Sequence, residues 1–357
     1  MPNFAINGFG RIGRSATRIW LEKHTSNLNL VAINTSGSLP VSGWAHLLKY
    51  DTAYGRLPYQ ITVEEITNQD PLIGYLIIQA PNQVYKIPVL AERDPEKIPW
   101  TKYKADLIIE STGVFREEHQ ARKHIKAGAK LVILSAPAKS GSVPTAVIGV
   151  NEEQVVGKDR VNSISVVSNA SCTTNCIAPV ASVMHQQIGV LKAMLTTIHG
   201  YTDDQKLQDN SHRDLRRSRA AAQNIIPTTT GAAHATTETI PELKGLFEGI
   251  ALRVPVITGS ITDFTFITRR STSVQEINQI FIDASNSPLY RGILSTTDEP
   301  LVSSDIIGRS ESAIVDLNLT KVVDGTLVKV LAWYDNEWGY ANRLLEQVIL
   351  SAQTLSK

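Results

Sequence analysis

Cysteine is scarce in this chain of 357 residues, which contains only Cys172 and Cys176. Two cysteines four positions apart supply neither a disulfide framework nor a cysteine-based metal cluster. We therefore expect a reducing environment, no structural disulfide and no bound metal.

Charge is also sparse. Asp, Glu, Lys and Arg make up 19% of the residues and the formal net charge is +1, whereas about 25% charged residues is usual in globular chains. Because there is no basic excess, we expect no nucleic acid as the main partner. The small charged fraction favours an oligomer, in which neighbouring subunits cover part of each surface.

Long apolar runs are missing too. No stretch approaches the roughly 20 apolar residues that span a bilayer. Strand-like sequence followed by Arg11 and Arg14 stands where a signal peptide would lie. We expect a soluble cytoplasmic protein, with no membrane partner and no targeting segment in this chain.

The N-terminal sequence predicts a strand, a glycine-rich turn, a helix and a second strand. The turn is Gly8-Phe9-Gly10-Arg11-Ile12-Gly13, with strand-like residues at 3–9 and 28–33 and a helical run at 16–21. In such a unit the first glycine permits a tight turn and the second lets the backbone approach a pyrophosphate. The third lets helix and strand pack closely. The pattern indicates dinucleotide binding; the alternative is a glycine-rich turn of an ordinary α/β domain.

More α/β units follow. Apolar runs at 107–110 and 131–135 flank a helical segment at 117–127, and small residues come after each run, at 111–113 and 135–137. Because the carboxyl ends of parallel strands line the ligand crevice of an open sheet, small side chains there leave room for a cofactor. The frequent use of small residues in ordinary loops explains these positions equally well.

Cys172 lies in the segment Ser-Asn-Ala-Ser-Cys-Thr-Thr-Asn-Cys, directly before an apolar helical run. A thiol in the first turn of a capped helix is predicted to have a lowered pKa and to be a nucleophile. His199 ends a strand-like run and opens a polar loop, which suits a base that works with the thiol. A buried structural cysteine and a structural histidine are the alternatives.

Three segments offer groups for phosphate. They are the basic run 212–219, the hydroxyl-rich run 227–231 and Arg253, which stands inside an apolar strand where a guanidinium needs an anion. A solvated charge run is the alternative for the first. The remaining pattern predicts sheet at 258–269, a helix at 275–284, strands at 302–314 and 322–333 with a turn at Asp324-Gly325, and a final amphipathic helix at 344–352.

These segments together resemble the phosphorylating glyceraldehyde-3-phosphate dehydrogenase family. The motifs INGFGRIGR, SNASCTTNC, IHGYTDDQ, HRDLRRSRAAA, IIPTTTGAA, LRVP and WYDNEWGY run in order along nearly the whole chain. The resemblance implies an α/β protein: a Rossmann-type dinucleotide-binding domain at 1–171 and 336–357, and an α+β catalytic domain with a mixed sheet at 172–335. It also implies a homotetramer.

The resemblance implies the chemistry as well. Cys172 would form a thiohemiacetal and then a thioester with a triose phosphate, and His199 would move the proton. The implied substrate-phosphate residues are Thr202, Asp204 and Arg253. The implied residues for the attacking inorganic phosphate are Ser171, Thr173, Arg217, Thr230 and Gly231.

A nicotinamide cofactor is implied too, and nineteen residues are its expected contacts. They are Asn7, Gly8, Phe9, Gly10, Arg11, Ile12, Gly13, Asn34, Thr35, Ser36, Arg93, Ser111, Thr112, Gly113, Ser135, Ala136, Ser211, Asn336 and Tyr340.

The choice between NAD and NADP depends on two positions. An acid usually ends the second strand of a dinucleotide fold and binds the ribose hydroxyls, but Thr35 stands there. The NAD-preferring members of the family carry Leu-Pro before HRDLRR, where this chain has Asn210-Ser211. We expect NADP to be preferred and NAD to be used as well, as in photosynthetic-type members, with Thr35, Ser36 and Ser211 offering donors to the 2′-phosphate. A tolerated variation with NAD preferred is the alternative.

Two other functions remain open. An erythrose-4-phosphate dehydrogenase shares the cysteine motif. A non-catalytic regulatory or redox-sensing protein on the same scaffold is the second, although Cys172 and His199 are both intact.

Overall fold

The computed structural model describes residues 1–81, 83–139, 143–156 and 164–355. The chain forms two compact units. The first consists of Met1–Ala146, Glu152–Ala170 and Ala341–Lys357, and the second of Val147–Asn151 and Ser171–Tyr340.

The described part of the chain contains the following elements. The helices are α1 Arg11–Ile19, α2 Val41–Lys49, α3 Trp100–Tyr103, α4 Glu118–Lys126, α5 Glu152–Val156, α6 Cys172–Gln187, α7 Ala232–Thr239, α8 Val274–Asn286 and α9 Trp338–Leu355. The strands are β1 Asn3–Asn7, β2 Asn29–Asn34, β3 Tyr50–Asp51, β4 Gly55–Arg56, β5 Gln60–Glu65, β6 Leu72–Ala80, β7 Gln83–Leu90, β8 Leu107–Glu110, β9 Leu131–Leu134, β10 Val166–Ser168, β11 Val190–Gly200, β12 Ile226–Thr229, β13 Phe247–Val254, β14 Ser260–Thr268, β15 Leu294–Thr297, β16 Ala313–Asp316, β17 Lys321–Val323 and β18 Leu327–Tyr334.

The first unit is built on an eight-stranded sheet in the order β10-β9-β8-β1-β2-β7-β6-β5. Pairing is parallel from β10 to β7 and antiparallel at β6 and β5. All four residues of β8 and of β9 are buried, as expected for parallel strands that are covered on both faces. The predicted Rossmann-type domain is confirmed.

Strand β1 lies between β2 and β8, so later strands of the sheet are added on both sides of β1. The register places Asn7 beside both Asn34 and Glu110 at the carboxyl ends of the three strands. This is the edge at which open α/β sheets bind their ligands.

The glycine-rich turn after β1 requires glycine at its first and last positions. Gly8 has φ +100°, and a Cβ there would lie 2.6 Å from the backbone of Ser111 and Thr112. A Cβ on Gly13 would lie 2.3 Å from the carbonyl oxygen of Gly8. Around Gly10, in contrast, there is open space within 4 Å.

The second unit contains a sheet in the order β12-β13-β11-β14-β18-β16-β15, with β17 paired to β18. Only β11 with β13 and β15 with β16 are parallel among these pairs. Helix α6, the stacked rings of Phe264 and Phe266, and Phe281 are part of its buried core. The predicted α+β domain with a mixed sheet is confirmed.

Two predicted strands of this unit had different outcomes. The hairpin at Asp324-Gly325 is present, and both residues have positive φ, of 48° and 66°. The strand predicted at 302–314 is wrong, because residues Ser303–Ile306 form a 3-10 turn and only Ala313–Asp316 is a strand. The carboxylate of Asp305 accepts from the Val302 N–H, and this local bond favours the turn over an extended chain.

The boundaries of the two units differ from the predicted ones at 147–151, Ser171 and 336–340, which all belong to the second unit. The buried Asp335 accepts from the N–H groups of Gly308, Glu337 and Trp338. These bonds keep the start of α9 with the second unit. None of the described helices is long and apolar enough to cross a membrane.

The turn gives a stability prediction. Gly13→Ala should lower the free energy of unfolding by about 1–3 kcal/mol, because the added methyl collides with backbone that cannot move freely. The matched control is Gly10→Ala, which meets open space and should cost less than about 1 kcal/mol at this N-cap position. Urea unfolding of both variants measures the difference, and equal losses would contradict the packing argument.

Candidate active site

Cys172 is the first residue of α6, and the local backbone fixes its place. Ser171 caps the helix: its hydroxyl accepts from the Thr174 N–H at 3.0 Å. Ala170 precedes it with φ 56°, in the left-handed region that costs a non-glycine residue about 1–2 kcal/mol. Such strain is concentrated at functional positions. The hydroxyl of Ser171 is therefore already engaged as a helix cap.

The sheet brings His199 to the thiol. His199 stands near the end of β11, and parallel pairing with β13 places Arg253 directly beside it. The His199 Nε2 lies 3.3 Å from the Cys172 Sγ, across 27 positions of sequence. The predicted thiol–imidazole pair is thus within hydrogen-bond range.

Two neighbours decide which ring nitrogen of His199 carries the proton. Nδ1 lies 2.6 Å from the Gly200 carbonyl oxygen, which can only accept, and 3.0 Å from Arg253 Nη1, which can only donate. The contact to the carbonyl is the shorter one, and Arg253 Nη1 has other acceptors in the Gly200 carbonyl and Thr202 Oγ1. We therefore assign the neutral tautomer with the proton on Nδ1 and a free lone pair on Nε2. Burial, and then the Arg253 cation, lower the pKa of His199 to about 3. The imidazole is therefore neutral at pH 7 and can accept a proton through Nε2.

The pKa of Cys172 is shifted in the direction opposite to the prediction. Burial raises it, while Arg253, the Thr173 hydroxyl and the N–H groups at the start of α6 lower it by less. The predicted lowering by the helix N-terminus is real but smaller than the cost of burying a thiolate. The resting pair is a neutral thiol facing a neutral base.

Two guanidinium groups lie close to this pair. Arg253 Nη1 donates to Thr202 Oγ1 at 3.0 Å, and its buried Nε has no hydrogen-bond partner among the described atoms. Arg217 donates to Asp204 at 2.6 Å and, through Nε, to Thr228 at 3.0 Å. Arg253, as a half-buried guanidinium with an unused donor, is suited to binding an anion.

Asp204 differs from the other expected phosphate residues. Its carboxylate accepts from the Thr202 hydroxyl and pairs with Arg217. A carboxylate repels a phosphate, so its contacts make Asp204 an anchor for the donors rather than a donor itself.

Thr230 and Gly231 lie at the end of β12, next to Arg217. Arg217 Nη2 donates to the Thr229 carbonyl at 3.4 Å. Gly231 is the N-cap of α7, makes no side-chain cap, and has open space within 4 Å. This helix start is accessible to an anion from solvent.

Tyr334 was missed by the sequence analysis. Its buried hydroxyl lies 3.0 Å from Thr173 Oγ1 and 2.8 Å from Thr197 Oγ1, and its ring meets His199 edge-on at 6.0 Å. The signal was present, since a tyrosine in the inward register of β18 needs a polar partner for its hydroxyl.

A pocket of about 420 Å³ lies at the carboxyl edge of the first sheet. Ten predicted cofactor residues line it: Asn7, Gly8, Phe9, Gly10, Asn34, Thr35, Ser36, Arg93, Ser111 and Thr112. Four further lining residues were not predicted: Trp44, Glu92, Val114 and Phe115. The pocket lining does not include Arg11, Ile12, Gly13, Gly113, Ser135 or Ala136, and the second unit contains Ser211, Asn336 and Tyr340.

The pocket fits a dinucleotide. Gly10 begins α1 without a side-chain cap and without a Cβ, so the backbone there is open to a pyrophosphate. The guanidinium of Arg11 pairs with Asp51 at 2.5 Å, which leaves its backbone as the part nearest the turn.

One cofactor expectation is corrected. The Thr35 hydroxyl is buried and donates to the Leu90 carbonyl at 3.0 Å. It is therefore not a donor that a phosphate can use. Ser36 and Ser38 are exposed and their hydroxyls lie 2.9 Å apart, so these groups remain accessible.

Asn336 has a fixed side-chain orientation. Its Oδ1 accepts from the Ser260 hydroxyl at 2.7 Å, and the Thr258 hydroxyl, 3.2 Å away, donates its proton to Asp335 Oδ1 at 2.8 Å. Its amide nitrogen is directed away from these hydroxyls.

A Rossmann-type unit joined to a unit in which a cysteine thiol faces a histidine ring is typical of a thiol-dependent dehydrogenase. Residues 2–118 match the NAD binding domain of glyceraldehyde 3-phosphate dehydrogenase, and residues 171–336 match its C-terminal domain. The chain belongs to the glyceraldehyde-3-phosphate dehydrogenase family. It is an NAD(P)-dependent phosphorylating aldehyde dehydrogenase, which confirms the predicted enzyme class.

Relatives match along their full length. Glyceraldehyde-3-phosphate dehydrogenase 2 of Trichormus variabilis is 48% identical over 354 residues, which are 99% of each chain. The protein of the same name from Streptomyces arenae is 47% identical over 350 residues, and glyceraldehyde-3-phosphate dehydrogenase of Zymomonas mobilis is 45% identical over 351; both alignments cover 98% of each chain.

The geometry predicts how the thiol is activated. His199→Asn should slow alkylation of Cys172 by iodoacetamide at pH 7 by about tenfold or more, because the half-buried thiol loses its proton acceptor. Mass spectrometry of the labelled peptide measures the rate. The control is His234→Asn, which changes an exposed histidine of α7. An unchanged rate in His199→Asn would exclude this proton transfer.

Proposed function

We propose that this enzyme reversibly oxidises glyceraldehyde 3-phosphate with inorganic phosphate to 1,3-bisphosphoglycerate, and that it uses NADP(H) and also NAD(H). The observation that carries the proposal is the 3.3 Å approach of Cys172 Sγ to a neutral His199 Nε2, with Arg253 beside the pair. Family membership supports the triose phosphate as substrate.

Cys172 begins the reaction as the nucleophile. His199 Nε2 accepts the thiol proton while the sulfur forms a bond to the aldehyde carbon. The backbone N–H of Cys172, in the first turn of α6, stabilises the oxyanion. The imidazolium then returns its proton to that oxygen, which gives a neutral thiohemiacetal on Cys172.

His199 acts a second time during the oxidation. Nε2 accepts the hydroxyl proton as the carbonyl re-forms, and a thioester on Cys172 results. When bound, the nicotinamide supplies the acceptor for the hydride that the carbon loses. The oxygen of Asn336 is already used by Ser260, so its amide nitrogen suits the nicotinamide carboxamide.

The donors around the pair divide into two phosphate sites in this proposal. Arg253 and Thr202 bind the phosphate of the substrate, and Asp204 keeps Thr202 and Arg217 in place. Arg217, Thr230, the Gly231 N–H, Thr173 and the backbone at Ser171 bind the inorganic phosphate. That phosphate attacks the thioester carbon, the carbon–sulfur bond breaks, and Cys172 is released.

The preference for NADP is proposed on charge rather than on the Thr35 hydroxyl. An acid at the end of β2 would repel a 2′-phosphate, and Thr35 is neutral. Arg93 and the accessible Ser36 line the same pocket and supply donors. Ser211 lies in an exposed loop of the second unit, and we assign it a supporting contact.

A homotetramer is proposed as the functional assembly. One face of the second unit's sheet exposes apolar residues from four strands: Met194, Ile250, Ile267 and Leu327. The register places them on the face opposite the buried Phe264 and Phe266. An apolar sheet face of this kind favours burial against a second copy of the chain.

The decisive test of the activity is Cys172→Ser. A serine hydroxyl is far less acidic than a thiol, so turnover should fall by several orders of magnitude while cofactor affinity is retained. Steady-state kinetics with glyceraldehyde 3-phosphate and with erythrose 4-phosphate measure the loss. They also show which sugar phosphate has the higher kcat/KM.

The matched control is Cys176→Ala. Cys176 is fully buried one helical turn away, and its Sγ lies 4.0 Å from Thr262 Oγ1. Most activity should survive in this variant. Near-normal turnover in Cys172→Ser, or a higher kcat/KM for the four-carbon substrate, would overturn the proposal.

The cofactor preference has its own test. Thr35→Asp combined with Ser211→Pro should lower the ratio of kcat/KM for NADP to that for NAD by about tenfold or more, because a carboxylate then faces the 2′-phosphate. Thr35→Val is the control: it removes the hydroxyl without adding charge, and the ratio should stay within about threefold. Wild-type enzyme that hardly uses NADP would refute the preference.

A further inference from the structure

The buried carboxyl group of Glu110 lies beneath the lining of the cofactor pocket, and the proposed mechanism does not use it. Glu110, at the end of β8, is 3% exposed, and His124, in α4, is 0% exposed. Glu110 Oε2 lies 3.0 Å from His124 Nε2.

The protonation of this pair follows from its neighbours. Trp100 Nε1 can only donate, and it lies 2.9 Å from His124 Nδ1, so Nδ1 must accept. The proton of the neutral ring is therefore on Nε2, which donates to Glu110. The His124 ring therefore links the indole N–H of Trp100 to the carboxylate of Glu110 in one fixed orientation.

The other groups around Glu110 are donors as well. Oε2 accepts from Asn7 Nδ2 at 2.5 Å, and Oε1 accepts from the Thr112 N–H at 2.8 Å and from the Thr112 hydroxyl. Together with His124 there are four donors, which an ionised carboxylate can satisfy. A glutamine in its place would present an NH2 group to some of them.

These bonds continue into the pocket wall. Asn7 Oδ1 accepts from Asn34 Nδ2 at 2.7 Å, so Asn7 connects Glu110 to Asn34. Asn34 itself is oriented by the Glu92 backbone, whose carbonyl accepts from Nδ2 at 2.8 Å and whose N–H donates to Oδ1 at 3.0 Å. Asn7 lines the pocket at the end of β1, and Thr112 lines it two residues after β8. Glu110 thus holds two parts of the pocket wall, the Asn7 carboxamide and the Thr112 backbone.

Stability alone does not account for such a group. Burying a carboxylate carries a large desolvation cost, and an apolar replacement of similar volume is often neutral or stabilising. The gain of a satisfied buried network is a single, rigid arrangement of its members.

We propose that Glu110 and His124 are positioning residues for the nicotinamide cofactor. They act by fixing the amide orientation of Asn7 and the backbone of Thr112 before the cofactor arrives. The inference rests on the proposed use of this pocket by NAD(P), and it adds two residues that do not line the pocket.

The first test is the affinity of the full-length enzyme for NADP and for NAD, measured by calorimetric titration. Glu110→Gln should raise both dissociation constants by about tenfold, the loss expected for one charge-assisted hydrogen bond. The kcat at saturating cofactor should stay within about twofold, since the thiol and base are untouched. The control is Asp316→Asn, which removes an equally buried carboxylate, 3% exposed, from the second unit and should leave both affinities unchanged.

A double-mutant cycle separates positioning from general destabilisation. If Glu110 acts through Asn7, Glu110→Gln added to Asn7→Ala should cost much less affinity than it costs in the wild type. Full additivity, or a lowered unfolding temperature with unchanged dissociation constants, would reduce Glu110 to a structural residue and overturn the inference.

His124 provides a second route if Glu110→Gln does not fold. His124→Gln keeps an N–H donor toward Glu110 and should retain most affinity, whereas His124→Leu should lose it. Equal affinities in the two variants overturn the inference. Failure of the wild type to bind either cofactor would instead refute the proposed function, so the two failures are distinguishable.

Discussion

The 3.3 Å contact between Cys172 Sγ and His199 Nε2 is the interaction on which the chemistry depends. Three features of the fold are needed for it. Helix α6 must begin at Cys172, and β11 must end near His199. The parallel pairing of β11 with β13 must place Arg253 beside His199. Burial and Arg253 keep the imidazole neutral, so the base is ready to accept a proton.

Both units use buried polar groups in the same physical way. In the second unit, the Gly200 carbonyl determines the tautomer of His199. In the first unit, Trp100 determines the tautomer of His124, and Glu110 orients Asn7. In each case a group that can only donate or only accept removes the freedom of a group that can do both. The cost of burying these groups is offset by a site that needs little reorganisation when a ligand binds.

Much of the fold could be predicted from local patterns. The Gly8–Gly13 turn with its flanking strands, the Asp324-Gly325 hairpin and the start of α6 at Cys172 follow from local backbone requirements. The strand expected at 302–314 could not be excluded locally, because a side-chain bond from Asp305 competes with extended structure there. The unit boundary at 341 depends on Asp335, whose hydrogen-bond donors include the distant Gly308 as well as the nearby Glu337 and Trp338.

The sequence by itself determined the two-unit α/β organisation and the family, and it predicted the nucleophile and the base, because short motifs of the chain carry each of them. Only the tertiary structure decided the protonation and the availability of the groups. It raised the pKa of Cys172 by burial, directed the Thr35 hydroxyl to Leu90, and brought Tyr334 and Glu110 beneath the two sites. Burial and hydrogen-bond partners depend on strands that meet from distant parts of the chain, and no local pattern contains that information.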